Sequence, residues 1–369
     1  MILLSKLRSA VSQKMSDLRD NHLRKTRRDL AHKTLVIKLD NLKPLTADQR
    51  KDIEHFWSRY RDVSRDMQWF EFYNWCSDGK ADIKRYIPDN IYYSEVDFFF
   101  TDARRSYVLD DKNLYDMFFH DVKMPETIIR KSKGLLLDGN YHLITMDQAV
   151  ELCRKAGHVI SKPARNTAGG SGINFIDFAD EGAVEQLKQC LEFPKGVIVQ
   201  RVIKQHESIN QLYAGSVNSL RIMSMIIDGE VRIISSVLRM GRDGSKVDNA
   251  SSGGLAVGIR DDGRLREVAF DKTGKKWKQH PQGAVFKDYQ IVGYDKCVDV
   301  IRDIAGRLSL TTSLISWDFA IDEEGDPVII EVNLTFGGVN IHQMCNGPIF
   351  GDMTEKILDM VYRSGDKSI

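Results

Sequence analysis

The stretch ISWDFAIDEEGDPVIIEVNLTFGG, residues 315–338, brings two carboxylates and a carboxamide within reach of one another. Strand-like apolar runs flank a two-residue loop, Glu324 and Gly325, and a register symmetric about that loop sets Asp318 directly opposite Glu331. Side chains alternate with a period of two along a strand, so Asn333 joins them on the same face. Opposed side chains have Cβ atoms about 4.5–5.5 Å apart, and like charges at that distance repel. Something positive must sit between them. An oxygen-only donor set of this kind suits Mg²⁺, with phosphate oxygens and water completing its octahedron. The alternative is a solvent-exposed face with both carboxylates hydrated; the apolar flanks Phe319, Ile321, Ile329, Ile330 and Val332 argue against it.

Upstream, SKPARNTAGGSGINFID, residues 161–177, sets Lys162 at the end of a strand-like run. A loop with Gly169, Gly170, Ser171 and Gly172 follows, then a second strand-like run. Glycines let backbone N–H groups approach phosphate oxygens and a nearby lysine adds a point charge, so the segment can cradle phosphate; taken alone it is equally a hairpin turn. It does not match GxxxxGK[ST] and no helix follows directly, which disfavours a Walker loop or a dinucleotide-binding turn. Between the two segments, Arg221 and Arg239 offer guanidinium forks that match phosphate oxygens. A tight turn at Asp228 and Gly229 sets Arg239 opposite Asn218, which puts the two arginines on opposite faces. They converge only if a bulge or a longer loop shifts the register.

The elements that carry these residues are short β-rich runs punctuated by turns: HVISKP, GVIVQRVI, SLRIMSMII, VRIISSVL, LISWDFAI and PVIIEVN. Helical patterns intervene at 145–156, 181–191, 296–308 and 353–362. Antiparallel hairpins mixed with helices make an α+β architecture. Ahead of them, TADQRKDIEHFWSRY carries a Thr-x-x-Gln helix start, and Trp57, Tyr60, Met67, Trp69, Phe70, Phe72, Tyr73 and Trp75 read as core or as a sugar-binding surface. Residues 1–38 hold ten basic and three acidic side chains with Leu4, Leu7, Val11, Leu18 and His22 near helical spacing; this is an amphipathic basic helix on an anionic membrane surface or partner, or a solvated helix packed on the body.

Composition sets the outer limits. In 369 residues, 53 Lys plus Arg balance 52 Asp plus Glu, which disfavours a nucleic-acid partner; 42% hydrophobic and 28% charged residues describe an ordinary globular chain of two or three units. Five scattered cysteines without a CxxC pair signal neither zinc nor disulfides, and no apolar run is long enough to cross a bilayer, so a cytoplasmic location is expected.

Together these pieces resemble the ATP-grasp superfamily, in which two α+β subdomains clasp ATP, and in detail the sugar-transfer-associated ATP-grasp proteins of bacterial surface polysaccharide biosynthesis. The resemblance covers about residues 96–364, with 145–203 as the glycine-loop subdomain, 204–364 as the metal-binding subdomain and a mainly helical region at 1–95. It implies ATP and Mg²⁺ as cofactors. DDKNLYDMFFHDVKMPETIIR, residues 110–130, is similar to the entry motif and makes Lys112 a phosphate lysine beside Lys162, with Gly169, Gly170 and Ser171 over the phosphates. The run 197–203 is similar to the adenine-reading hinge, with Gln200, Arg201, Val202 and Ile203 at the nucleotide and His206 or Glu207 near the ribose. Asp318, Glu331 and Asn333 match the metal ligands, Asp318 also meeting the nucleotide. The order Arg221, Arg239, Asn249, Gly253, Gly254 is similar to the branch that adds amino acids to carboxylates and implies catalytic roles for Arg221, Arg239 and Asn249. One departure is Ser316, where dipeptide ligases carry an arginine.

The implied activity is a carboxylate–amine ligase acting through an acyl phosphate on small-molecule or glycan substrates. The rivals are a kinase for a sugar hydroxyl, with Asp248 or His342 as base, and a nucleotide-binding partner of a glycosyltransferase. The basic segment 1–38 adds the inner membrane face as a weak docking site.

Overall fold

In a computed structural model of the chain, the residues described are 2–165, 171–194, 196–249 and 252–363, with side chains throughout except at 2–13, 16, 103 and 104. They form two compact units.

The first unit comprises Met1–Asp102, Thr273–Lys275 and Gly338–Ile369. It opens with a helix, Ile2–Val36, followed by Ala47–Trp57, which begins at Thr46 with the expected capping box to Gln49. Trp57, Trp69, Phe70, Phe72 and Tyr73 are buried, so this aromatic stripe is core. The inward arginines of the first helix are engaged within the unit: Arg27 pairs with Asp97 at 2.9 Å and Arg24 with Glu95 at 2.6 Å. Met15 and Leu18 face solvent. No helix among the described residues is long and apolar enough to cross a membrane. The C-terminal helices Val339–Asn346 and Thr354–Arg363 belong to this unit, whereas the sequence grouped 96–364 together. The reason is a side-chain clamp: Gln343 accepts from the Ile87 N–H at 3.0 Å and donates to the Ile87 carbonyl at 2.8 Å.

The second unit, Ala103–Lys272 and Lys276–Gly337, holds two antiparallel sheets. Strands β1 (Thr127–Ser132), β2 (Leu135–Asp138), β3 (His158–Pro163), β4 (Asn174–Asp177) and β5 (Val197–Arg201) pair in the order β2-β1-β5-β3-β4. Helices Met146–Ala156 and Ala183–Leu191 cover one face, and Ile129, Cys153, Val159, Leu187 and Val199 fill the space between. This sheet takes in 127–138, upstream of the 145–203 span expected from the sequence. The other strands are β6 (Ser219–Ile227), β7 (Glu230–Met240), β8 (Leu255–Ile259), β9 (Leu265–Phe270), β10 (Lys276–Trp277), β11 (Leu314–Ile321) and β12 (Pro327–Asn333). Their order is β10-β9-β8-β7-β6-β11-β12. Leu220, Ile222, Leu238, Trp317 and Phe319 turn their apolar face onto the helix Tyr294–Ile304, and the alternating residues are left for the site on the other face.

Two bulges set that other face. The β6–β7 register runs tightly from the turn as far as Ser224 opposite Ile233, then resumes at Met223 opposite Ser235, so Ile234 is the extra residue. Arg239 consequently lies opposite Ser219, two residues from Arg221 and on its face. On β12, Phe319 pairs with Ile329 but Asp318 with Glu331, so Ile330 is extra. The turn is one residue wider than the sequence suggested, with the Asp322 N–H on the Asp326 carbonyl at 3.0 Å, and the bulge restores Asp318 to Glu331.

Candidate functional site

Across the seven-stranded sheet, Glu331, Asp318 and Arg221 form one row on three neighbouring strands. Arg221 grips Asp318 with both prongs, Nε to Oδ1 at 2.7 Å and Nη2 to Oδ2 at 2.6 Å, and Arg239 adds Nη2 to Oδ2 at 3.1 Å. Burial opposes ionisation of Asp318, but the two guanidinium charges outweigh it and hold the carboxyl at about 2. Arg221 is correspondingly raised against its own burial by Asp318. The Asn333 amide lies 3.4 Å from Asp318 Oδ2. Lys112, at a 3₁₀ turn before β1, reaches Glu331 Oε1 at 2.6 Å. Thus the positive charge demanded by two opposed carboxylates is supplied by the chain's own cations.

The donor set still fits a hard cation. Glu331 keeps its second oxygen and Asn333 its amide oxygen without a partner among the described residues, and Asp318 can share an oxygen as its guanidinium contacts loosen. Among the described residues no three His, Cys, Asp or Glu side chains cluster. A soft-ligand metal has no set here.

The departure at Ser316 has a steric reason. Its Oγ donates to the Gly337 carbonyl at 3.0 Å, and a Cβ on Gly337 would lie 2.4 Å from that Oγ. The space is closed to an arginine. Arg221, cross-strand from Asp318, brings a guanidinium to the carboxylate from the neighbouring strand instead.

A cleft of about 510 Å³ borders this cluster and is lined by Lys112, Lys162, Gln200 and Arg201 together with Ile329 and Ile330. The size suits a small organic ligand. Lys112 N–H donates to the Ala164 carbonyl at 2.9 Å, tying its turn to the end of β3. Lys162 is buried, and no hydrogen-bond or ion-pair partner among the described residues meets its ammonium. Burial, and then the Lys112 charge, bring it down to about 8 despite Glu331. Gln200 is buried with Oε1 unpartnered, an acceptor left for a ligand N–H.

Other expected residues stand apart. Val202 and Ile203 are half-buried past the end of β5 and do not line the cleft; nor does Glu207, exposed at the start of a short helix capped by His206. Ser171 is exposed, and Gly169 and Gly170 lie outside the described residues. Asn249 closes a turn through its carbonyl, which accepts from Ser252 and Gly254 at 3.0 and 3.1 Å. Asp248 is engaged by Ser219 and Arg239. His342 is buried in the helical unit. Ser219 was not singled out in the sequence, although its place two residues before Arg221 gives it the same face.

The sheets and the cluster define an ATP-grasp fold, and the chain belongs to the sugar-transfer-associated ATP-grasp family, whose model matches residues 97–358. Among solved structures it is similar to D-alanyl-alanine synthetase A of Vibrio cholerae O1 biovar eltor, at 14% identity over 68% of this chain and 63% of that one, with a TM-score of 0.40. Similar too are a biotin carboxylase–β,γ-ATP complex from Campylobacter jejuni (14% identity, 73% and 50% covered, TM-score 0.44) and the biotin carboxylase domain of Hydrogenobacter thermophilus 2-oxoglutarate carboxylase with MgADP and bicarbonate (11%, 73% and 48%, 0.44). The chain spans less than two thirds of each of these structures. No curated protein matches it.

Proposed function

We propose that this chain is an ATP- and Mg²⁺-dependent ligase that activates a carboxylate as an acyl phosphate for attack by an amine, in the making or modification of a cell-surface polysaccharide. The observation that carries the reading is the buried Lys162, without a hydrogen-bond or ion-pair partner among the described residues, on a cleft beside the Asp318, Glu331 and Asn333 donor set. A buried cation whose ammonium meets no such partner, and whose nearby Glu331 does not offset burial and the Lys112 charge, is stabilised by an incoming anion, and a polyphosphate is the anion that also uses an oxygen-donor metal set. The family's description supports the sugar connection.

In this reading Lys112 and Lys162 hold the phosphates, and Gln200 and Arg201, the hinge residues that line the cleft, meet the adenine. Asp318, Glu331 and Asn333 would hold Mg²⁺, which when bound offsets charge on the phosphate oxygens. A substrate carboxylate oxygen attacks the γ-phosphorus and the bond to the ADP oxygen breaks. The amine nitrogen then attacks the acyl carbon, phosphate departs, and the nitrogen loses a proton. Arg221 and Arg239 offset charge on the transferring group, so positioning and electrostatics suffice without a covalent nucleophile. The kinase alternative needs a free base, and Asp248 is already committed to Ser219 and Arg239.

Incubation with labelled ATP and panels of acids, amines and sugars tests the reading. Phosphate release that requires both an acid and an amine is expected; a phosphorylated sugar would overturn it in favour of the kinase.

Lys162 gives a second check. Its ammonium lies at about 8 in the free protein, and bound phosphate restores it toward the ordinary 10.5. Nucleotide binding should therefore take up a proton near pH 8 and weaken by about tenfold from pH 7 to pH 9. Calorimetry in buffers of different ionisation enthalpy measures both. Lys162→Met should bind weakly with no proton uptake; an uptake that survives in the variant assigns it to another group.

A further inference from the structure

We propose that Ser219 and Asp248 act as a positioning pair that aims Arg239 at the transferring phosphoryl group, an inference that rests on the ATP-dependent reading above. Arg221 and Arg239 both touch Asp318, but they are held differently. Arg221 directs Nε and Nη2 to Asp318 alone. Arg239 is buried, and its Nε and Nη2 donate to Ser219 Oγ at 3.0 and 2.6 Å, with Asp248 Oδ2 3.4 Å from Nε.

The hydroxyl is saturated. Ser219 Oγ accepts twice from Arg239 and donates its own proton to Asp248 Oδ2, which also accepts from the Ser219 N–H at 3.3 Å. A serine offers one donor and two acceptor lone pairs, so this arrangement fixes its rotor and leaves no alternative partner. Asp248 is brought there by a close backbone approach: a Cβ on Gly254 would stand 2.5 Å from the Asp248 carbonyl and 2.6 Å from that of Met240.

The consequence appears when Asp318 turns its oxygens to a cation. Both contacts of Arg221 are to Asp318 and loosen with it, whereas three of the four made by Arg239 go to the serine and the second carboxylate and stay. Arg239 Nη1 has no partner among the described residues and is available to a ligand oxygen. Arg239 is thus the guanidinium whose direction is independent of the state of Asp318, as preorganised stabilisation of developing charge requires.

Binding of MgADP alone and of MgADP with orthovanadate, which mimics the transferring phosphoryl, tests this in the full chain. Ser219→Ala and Asp248→Asn should melt below the parent, since each strips a buried partner from Arg239, but still bind MgADP within about twofold of it while losing about tenfold or more of the tightening that vanadate gives. Ser219→Thr, which keeps the hydroxyl, should retain most of it. If Asp248→Asn does not fold, the Ser219 pair of variants carries the test. Tightening equal to the parent in Ser219→Ala, or a parent that binds MgADP but gains nothing from vanadate, overturns the inference while leaving nucleotide binding intact. Loss of MgADP binding itself in a folded variant overturns it too, making the pair part of the nucleotide site. A parent that binds no MgADP overturns the ATP-dependent reading and this inference with it.

Discussion

Asp318→Asn is expected to cost the protein about 3–5 kcal/mol of stability, the range found when one partner of a buried ion pair is removed. Asp318 is 2% exposed and neutralises two guanidinium groups that are themselves nearly buried. The amide keeps the shape but leaves Arg221 with a poorer acceptor and only the more distant charges of Glu331 and Asp248 in a medium that screens weakly. Urea unfolding at pH 7 measures the loss. The pH dependence has a definite sign: the folded carboxyl lies at about 2, below its ordinary 3.8, so its contribution is fully present above 3.8 and fades as pH falls toward 2. The variant should therefore converge on the parent in acid. Asp121→Asn is the control, since Asp121 faces solvent in its pair with Arg307 and its loss should leave the midpoint where it was. Coincident urea curves for Asp318→Asn and the parent at pH 7 would mean that the arginines find other acceptors.

The pairing of Asp318 with Glu331 was legible in the sequence for a reason only half correct. A two-residue loop symmetric about Glu324 and Gly325 gives that pair; the turn is wider, and the bulge at Ile330 compensates. Bulges carry no residue signature of their own when the extra residue is an isoleucine in an apolar run, as at Ile234 and Ile330. The convergence of Arg221 and Arg239 could thus be stated only as a condition on a bulge, which β7 meets. The strands around Lys162 and the helix starts at Thr46 and Thr145 were readable because local chemistry decides them. What holds Asp318 was not readable. Charge repulsion between the two carboxylates demands a cation but does not distinguish a metal from an arginine on a neighbouring strand. That the helices after Gly338 pack with the N-terminal residues was not readable, because the Gln343 clamp on Ile87 joins residues far apart in sequence.

Glu331→Gln should separate the metal's role from that of the lysines. In the structure Glu331 holds Lys112 through one oxygen and leaves the other unpartnered among the described residues. Removing the charge therefore acts in two opposite directions. A metal loses one of its two carboxylates, so phosphate release from MgATP should fall more than tenfold, a loss above about 1.4 kcal/mol of transition-state stabilisation. Nucleotide without metal, by contrast, no longer meets an anion at the phosphate end of the cleft and finds Lys112 unengaged. Metal-free ATP should consequently bind the variant several-fold more tightly than the parent, roughly 1 kcal/mol on the affinity scale. Titration calorimetry with and without Mg²⁺, alongside phosphate release, reads both effects in one preparation. Turnover equal to the parent's would remove Glu331 from the metal set. Slower turnover with unchanged metal-free affinity would keep Glu331 at the metal and show that Lys112 stays with another partner when phosphate arrives.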